Sequence, residues 1–399
     1  MIKNKDIIIV GYQSWDISIG SNCKNIAYQF AKYNRVLYVN LPIDRRGLIS
    51  KKKHDAIQLK RIAVLNGESE SLEVISDQFW SFYPKIVYES INWIKISMLY
   101  DFFNCINAKR ISKEIKRAIE HLNFKDYILF NDSDMFRGVY FKELLAPAFN
   151  IYYIRDNLIS QPYFKKHGAK TEIKTIKSAD MVVTNSTYLK DYALPHNKNT
   201  FYVGQGCDLS QYKNSNTKLQ KDVTEIKGLK IGYIGYLTQM RLDISLLIEI
   251  AQLRPKWQLI LVGPEDSFFK NSELHNLNNV HFLGQKNTEE LPAYINSFDV
   301  CINPQLVNDM TIGNYPRKID EYLAIGKPVV ATKTPTMAIF ESVVSLGTNT
   351  SEYISLIEKL IREDNLKKQN ERIAFAQSHS WENSVKEIAK AYYLITSNK

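Results

Sequence analysis

The feature that most constrains this 399-residue chain is an alternation of strand-like and helix-like stretches that is played through twice. In the first half, "IIIV" (7–10) is followed by a helical stretch from Asn22 to Ala31 and then "VLYV" (36–39). Later come "YILF" (127–130), "IYYI" (151–154), "MVVT" (181–184) and "FYV" (201–203). Apolar runs this short, β-branched or aromatic and bounded by polar turns, predict strands buried on both faces in a parallel sheet. The segment "SQYKNSNTKLQKDVTEIKG" (210–228) lacks apolar periodicity and reads as a linker. The pattern then restarts: strand "KIGYIG", helix "LDISLLIEIAQL", strands "WQLILVG" and "VHFLG", helix "TEELPAYINS", strand "DVCIN", a short helix, strand "PVVAT". A last amphipathic helix is expected in "SWENSVKEIAKAYYLI". Repeated βα units imply doubly wound sheets. Two of them in tandem form a cleft that the carboxyl ends of both sheets face.

A chain 45% hydrophobic can fill two ordinary cores. Cys23, Cys105, Cys207 and Cys301 are too scattered for a disulfide framework or a metal knuckle, so a reducing, cytoplasmic setting is expected. The apolar run at the N-terminus is four residues, a strand rather than a signal peptide, and no stretch approaches the roughly 20 apolar residues of a membrane span. The net charge of +10 is unevenly placed: residues 1–200 hold 30 Lys+Arg against 20 Asp+Glu, and the remainder 22 of each. The first half is therefore expected to face something anionic: nucleic acid, a phospholipid surface or a phosphorylated substrate. The alternative is a basic surface that serves solubility alone.

Several motifs, in order, carry a likeness: "SADMVVTNSTYLKD" with "YVGQGCDLSQY" in the first half, then "GYIGYLTQMRLDISLLIEIA", "LILVGP", "NVHFLGQKNTEELPAYINSFDVCINP" and "PRKIDEYLAIGKPVVAT". On these the chain resembles the GT-B nucleotide-sugar glycosyltransferases of the broad group that contains the family-four enzymes. Within it, the chain is most similar to teichuronic-acid-type transferases of bacterial surface polysaccharide synthesis. The likeness spans about residues 5–395. It implies an α/β, GT-B architecture of two Rossmann-like doubly wound domains facing a central cleft. Residues 1–209 would bind the acceptor, 210–228 link, 229–376 bind the nucleotide sugar, and 377–399 cross back to the N-terminal domain as a helix. It further implies sugar transfer from a UDP- or GDP-sugar to a saccharide or lipid-linked acceptor, with no cofactor and no metal.

The residue chemistry agrees in several places. Gly232 and Gly235 flank the end of a strand, where missing side chains admit a ligand to the backbone. Arg241 begins the next helix, placed to neutralise phosphate or to make a structural salt bridge. The family often has an Arg and a Lys in this loop; Tyr236 stands at the first of those places. In "GNYPRKIDEYLAIGKPVVAT", Pro316 suits a first helical turn, Ile319, Tyr322 and Leu323 share an inward face, and Gly326 ends the helix. Glu321 lies one turn in, able to accept from a ribose diol, the role that the resemblance assigns to it; otherwise it is a plain N-terminal helix acid. Lys318 adds charge at helix amides suited to a diphosphate, while Arg317 is as readily a solvent residue. Many retaining relatives have a second glutamate where this chain has Gly313, so Thr311, Ile312 and Asn314 are the candidates for sugar contacts. Gly284 and Gln285 are expected to meet the nucleotide base through backbone groups.

On the acceptor side, Gly20, Ser21 and Asn22 could offer amides to a diphosphate, with Lys24 adding charge. Transfer with inversion needs a base for the acceptor hydroxyl. Asp16 is the first candidate, Asp132 and Asp156 the next, with Asp134 and Arg155 close by in sequence. "DSD" (132–134) imitates a metal-binding acid pair, but the resemblance implies metal independence. The aromatic stretch 79–104, with Lys85 and Lys95, reads as a core helix and its connecting loop, or as an amphipathic element touching membrane or a lipid-linked acceptor. "KKKH" (51–54) reads as a solvated loop suited to an anionic surface. These features set the expected location in the cytoplasm, at the inner face of the membrane. Competing readings are a sugar-nucleotide epimerase or phosphorylase on the same fold, or a non-enzymatic nucleic-acid-binding protein, although no nucleic-acid module is recognisable.

Overall fold

Short buried strands build two large, mainly parallel sheets. The computed structural model describes residues 1–17, 21–50, 54–212 and 220–397. Its two compact units are Met1–Gly204 with Ser384–Lys399, and Gln205–Asn383.

The first unit holds an eight-stranded sheet in the order Thr200–Tyr202, Met181–Thr184, Phe149–Ile154, Ile128–Asp132, Asp6–Gly11, Arg35–Val39, Phe79–Phe82, Leu72–Ser76. All neighbours are parallel except the last pair. The expected strands of this half are all present. The aromatic stretch 79–104 is a different matter: it divides into the strand Phe79–Phe82, a run that holds the two-residue strand Val87–Tyr88, paired with Ile43–Asp44, and a helix Ser97–His121. Aromatic residues on both faces of the strand hide its period of two. The edge strand Leu72–Ser76 keeps Val74 exposed and carries Glu73, so it too lacks a clean pattern.

The second unit holds six parallel strands in the order Val280–Gly284, Trp257–Val262, Leu229–Ile234, Val300–Asn303, Val329–Thr332, Ser345–Gly347. Alternation along Leu229–Ile234 sorts side chains to two cores. Ile231 and Tyr233 pack with Leu247, Ile250 and Tyr353 on one side, whereas Ile234 packs with Phe298, Ile319 and Tyr322 on the other. Gly232 belongs to the second side. A Cβ there would lie 2.0 Å from the Phe298 ring, so this glycine admits a core phenylalanine rather than a ligand.

The change of unit falls at Gly204/Gln205, ahead of the expected linker. Gly206 already belongs to the second unit because the Trp381 indole packs on it; a Cβ would come within 2.3 Å of that ring. The Cys207 N–H donates to the His379 carbonyl at 2.8 Å, fastening the same point. Of the expected linker, residues 213–219 lie outside the described residues, while Tyr212 and Val223 are buried in the second unit's core. The final helix runs Trp381–Thr396, and from Ser384 on it belongs to the first unit. Among the described residues, no helix is long and apolar enough to cross a membrane.

Both sheets have a switch point, where the chain leaves one strand for the left and returns for the right. It lies between Asp6–Gly11 and Ile128–Asp132 in the first unit, and between Leu229–Ile234 and Val300–Asn303 in the second. Ligands of open α/β sheets bind at the carboxyl ends of such strands.

Candidate functional site

At the switch point of the second unit, two glycines make room. Gly235 has φ +144° and Gly263 φ +146°, a region that side chains avoid. A Cβ on Gly263 would sit 1.9 Å from the Gly235 carbonyl oxygen, so the two strand ends can touch only as glycines. A Cβ on Gly235 would lie 2.8 Å from the Lys318 amine. The space that the missing side chain leaves is therefore where Lys318 stands.

Lys318 opens the helix Lys318–Ala324, whose Ile319, Tyr322 and Leu323 are buried against the sheet. The Tyr322 hydroxyl accepts the Ile234 N–H at 2.9 Å and fixes the helix to the strand end. Lys318 reaches over that end to the Tyr233 hydroxyl, to which it donates, and its amine lies 3.9 Å from the ring centre. Burial drives its pKa down to about 7; Glu321 opposes this and Arg241 adds to it. A lysine so placed is poised to be charged by an arriving anion. Glu321 is also pushed up by burial, against the pull of Arg317 and Lys318 and a hydrogen bond from Tyr212. Arg241 is exposed, and its loop is tied to the next one by the Leu306 N–H on the Arg241 carbonyl, 2.8 Å. Arg317 is half-buried rather than a free surface residue, and its Nε has no hydrogen-bond partner.

The other face of Lys318–Ala324 is equally committed. Asp320, fully buried, takes the His379 ring at 2.7 Å and the Tyr315 hydroxyl at 2.8 Å. No motif announces this network, since Asp320 and His379 lie 59 positions apart.

The loop between Asn303 and Pro316 is built from within. The buried Thr311 hydroxyl donates to the Leu306 carbonyl, its carbonyl accepts from Gln305 at 2.9 Å, and the Asn314 N–H returns to it at 3.1 Å. The Ile312 carbonyl accepts the Thr336 hydroxyl at 2.9 Å. Thr311 thus shapes the loop, with its hydroxyl occupied. Gly284 has φ +68° with no atom within 4 Å of a notional Cβ, and its carbonyl accepts the Gly263 N–H at 2.9 Å. Gln285 next to it is exposed. The structure therefore gathers Gly235, Arg241, Lys318 and Glu321 closely, with Gly284 reaching Gly263 from the neighbouring strand. Tyr233 and Tyr212 were absent from the sequence candidates.

In the first unit, Asp132 ends the strand beside Gly11 and is fully buried. Its Oδ1 accepts the Arg155 Nε at 2.8 Å; its Oδ2 has no hydrogen-bond partner. Arg155 also meets the Asp156 carboxylate at 3.4 Å, and that carboxylate is 44% exposed. Burial, followed by the charge of Asp132, pushes the Cys23 thiol up. Asp134 is consumed by structure: it binds the Arg137 Nε at 2.7 Å and the N–H groups of Phe136 and Arg137. Asp16 lies in another cluster, holding the Tyr83 hydroxyl at 2.5 Å and the Lys60 amine at 2.8 Å. The Ser21 hydroxyl caps the following helix by accepting the Lys24 N–H. Lys24 donates to the Ile17 carbonyl and lies 5.0 Å over the Trp15 ring. Gly20 and Lys51–Lys53 lie outside the described residues. No cluster of three or more His, Cys, Asp or Glu able to hold a metal occurs among the described residues.

Residues 228–362 match the family model of glycosyl transferases group 1. The Bacillus subtilis protein named "Putative teichuronic acid biosynthesis glycosyltransferase TuaH" is 27% identical over 252 residues, 59% of this chain. The chain spans 62% of the length of that curated relative. Among solved structures, sucrose-phosphate synthase from Thermosynechococcus elongatus is similar with a TM-score of 0.66 at 14% identity, covering 99% of this chain and 100% of that one. HepE from Anabaena in complex with UDP matches with a TM-score of 0.65 at 17% identity, covering 97% and 99%. The E. coli trehalose-6-phosphate structure bound with UDP-2-fluoro glucose matches with a TM-score of 0.65 at 10% identity, covering 97% and 99%. The chain has the GT-B fold.

Proposed function

We propose that this chain, whose second unit carries a group 1 glycosyl transferase domain, moves a sugar from a UDP- or GDP-sugar to a saccharide or lipid-linked acceptor in bacterial surface polysaccharide synthesis. The observation that carries the reading is Lys318, half-buried over Gly235 and flanked by Glu321 and Arg241 at a switch point. Charge develops on the leaving diphosphate during transfer, and preorganised cations at that place stabilise it. Lys318 and Arg241 supply them, without metal or cofactor. Glu321 receives the ribose hydroxyls. Thr311, Ile312 and Asn314 hold the loop that faces the donor sugar, and Gly284 with Gln285 lies beside the base. That HepE was solved with UDP supports a uridine donor.

On the acceptor side, Asp156 is the base: its carboxylate is the solvent-accessible one of the Asp132–Arg155–Asp156 group. Asp132 orients Arg155 from behind. The protein works in the cytoplasm, touching the anionic inner face of the membrane through its basic half. There Trp93 (75%), Met98 (81%) and Phe102 (60%) are exposed around Lys95.

Titration with UDP, GDP and a short oligonucleotide tests the reading. UDP or GDP binding that Lys318→Ala abolishes is the expected result. Tight oligonucleotide binding without nucleotide binding would overturn it.

A further inference from the structure

Two recesses in the first unit share a wall. The smaller, about 140 Å³, sets the rings of Tyr12, Tyr88, Tyr100 and Tyr163 around Arg137. Arg137 is 6% exposed, fixed by Asp134 at 2.7 Å, and 5.2 Å over the Tyr88 ring. The larger is an open groove of about 600 Å³ whose apolar walls include Ile49, Trp93, Ile94 and Phe103. Arg45, Arg46 and Arg110 stand along it. Arg46, Glu89 and Trp93 are among the residues that line both recesses, so the two adjoin.

The charges along the groove are unbalanced. Glu89 is its single acid, and it is shared by Arg45 at 2.7 Å and Arg110 at 3.3 Å. Arg46 forms no ion pair among the described residues. The groove therefore carries three guanidinium groups against one carboxylate. Asp44, in the smaller recess, is engaged within the protein by the Gly47 N–H at 3.0 Å and the Ser90 hydroxyl at 2.5 Å.

An apolar groove left open to water, with Ile49 70% and Trp93 75% exposed, calls for an apolar occupant. Arginines along it call for phosphate oxygens, which the planar guanidinium binds in pairs. Aromatic faces next to the arginines suit a sugar ring, with its apolar C–H face and polar rim. One ligand class has these three parts in this order. We propose that the double recess binds an acceptor linked to a lipid through phosphate. The tail lies between Ile49, Trp93 and Phe103, the phosphate at Arg45, Arg46 and Arg110, and the sugar among the tyrosines around Arg137. The proposal rests on the glycosyl-transfer reading above and narrows its acceptor from saccharides in general to amphiphiles.

Farnesyl diphosphate, kept below its micelle threshold, is the probe. It is titrated into the full chain with and without saturating UDP, beside inorganic diphosphate and farnesol. The expected result is binding at least tenfold tighter than either half alone, unaffected by UDP. Ile49→Ser and Arg110→Ala, both at exposed positions, should each weaken it roughly tenfold or more while UDP affinity stays unchanged. Equal binding of farnesol or diphosphate, wild-type affinity in both variants, or binding seen only with anionic vesicles would overturn the proposal. Farnesyl diphosphate binding without nucleotide binding would keep this site and overturn the donor reading. UDP binding without farnesyl diphosphate binding would do the reverse.

Discussion

The Lys318 amine lies 3.9 Å from the centre of the Tyr233 ring and donates to that tyrosine's own hydroxyl. The pair closes the end of the strand Leu229–Ile234, and burial holds the lysine at a pKa of about 7. An anion bound there favours the charged form, so its arrival draws a proton onto Lys318. UDP binding at pH 8 is therefore expected to take up close to one proton, and at pH 6 almost none, since the lysine is already charged. Affinity should rise as pH falls from 8 to 6. Calorimetry in buffers of different ionisation enthalpy reads the uptake directly; a heat independent of buffer at pH 8 would contradict it.

Glu321 is expected to read the ribose. Glu321→Gln should weaken UDP binding by roughly 1.5–3 kcal/mol, the range for hydrogen bonds to a charged group. It should leave inorganic diphosphate binding unchanged. The wild type should discriminate UDP from its 2′-deoxy analogue, and the variant should not. Equal losses for UDP and diphosphate would place Glu321 in the fold rather than at the ribose.

Asp156 and Asp16 separate by their partners. Both carboxylates reach solvent, but Asp16, 33% exposed, is held by an ammonium at 2.8 Å and a phenol at 2.5 Å, whereas Asp156, 44% exposed, meets the Arg155 guanidinium at 3.4 Å. Asp156→Asn should lower kcat by roughly 10²-fold or more with UDP affinity intact, as loss of a general base does. Asp16→Asn should change kcat by only a few-fold. The opposite ranking of kcat values would return the base to Asp16.

Glu172 offers a test of stability alone. It is 2% exposed, accepts from the hydroxyls of Tyr152 and Tyr192 at 3.1 Å each, and burial raises its pKa to about 7. A carboxyl whose folded pKa is raised favours folding below its unfolded value near 4.5, and that contribution is lost as pH climbs through 7. Glu172→Gln should thus be more stable than the wild type at pH 8, by on the order of 2–3 kcal/mol at most, and should lose that advantage at pH 5. Melting curves of both proteins at the two pH values suffice. An advantage that is the same at both would show Glu172 to be ionised throughout.

Strands such as Ile7–Val10 and Ile151–Ile154 were legible because a strand buried on both faces must be apolar at nearly every position. Phe79–Phe82 was not, since its aromatic run fits a helix as well as a strand. At both Gly235 and Gly232 the sequence pointed to a ligand approaching the backbone; the atoms that come close are the Lys318 amine at Gly235 and the Phe298 ring at Gly232. A glycine in sequence reports that something comes close; which atom comes is a matter of the packing across the sheet.

The amino-acid order by itself determined two doubly wound units and put Gly235 at a strand end, Arg241 in the turn that follows, and Lys318 and Glu321 in a helix's first turn. Those are local properties, set by periodicity, backbone freedom and the spacing of charges along a few residues. Only the tertiary structure decided what each group faces. It set Lys318 over Tyr233, bound Asp320 to His379, occupied Asp16 with Lys60, and joined Trp93 to Arg46 along one groove. Such pairings depend on burial and on distances between residues far apart in the chain, and no local pattern records either.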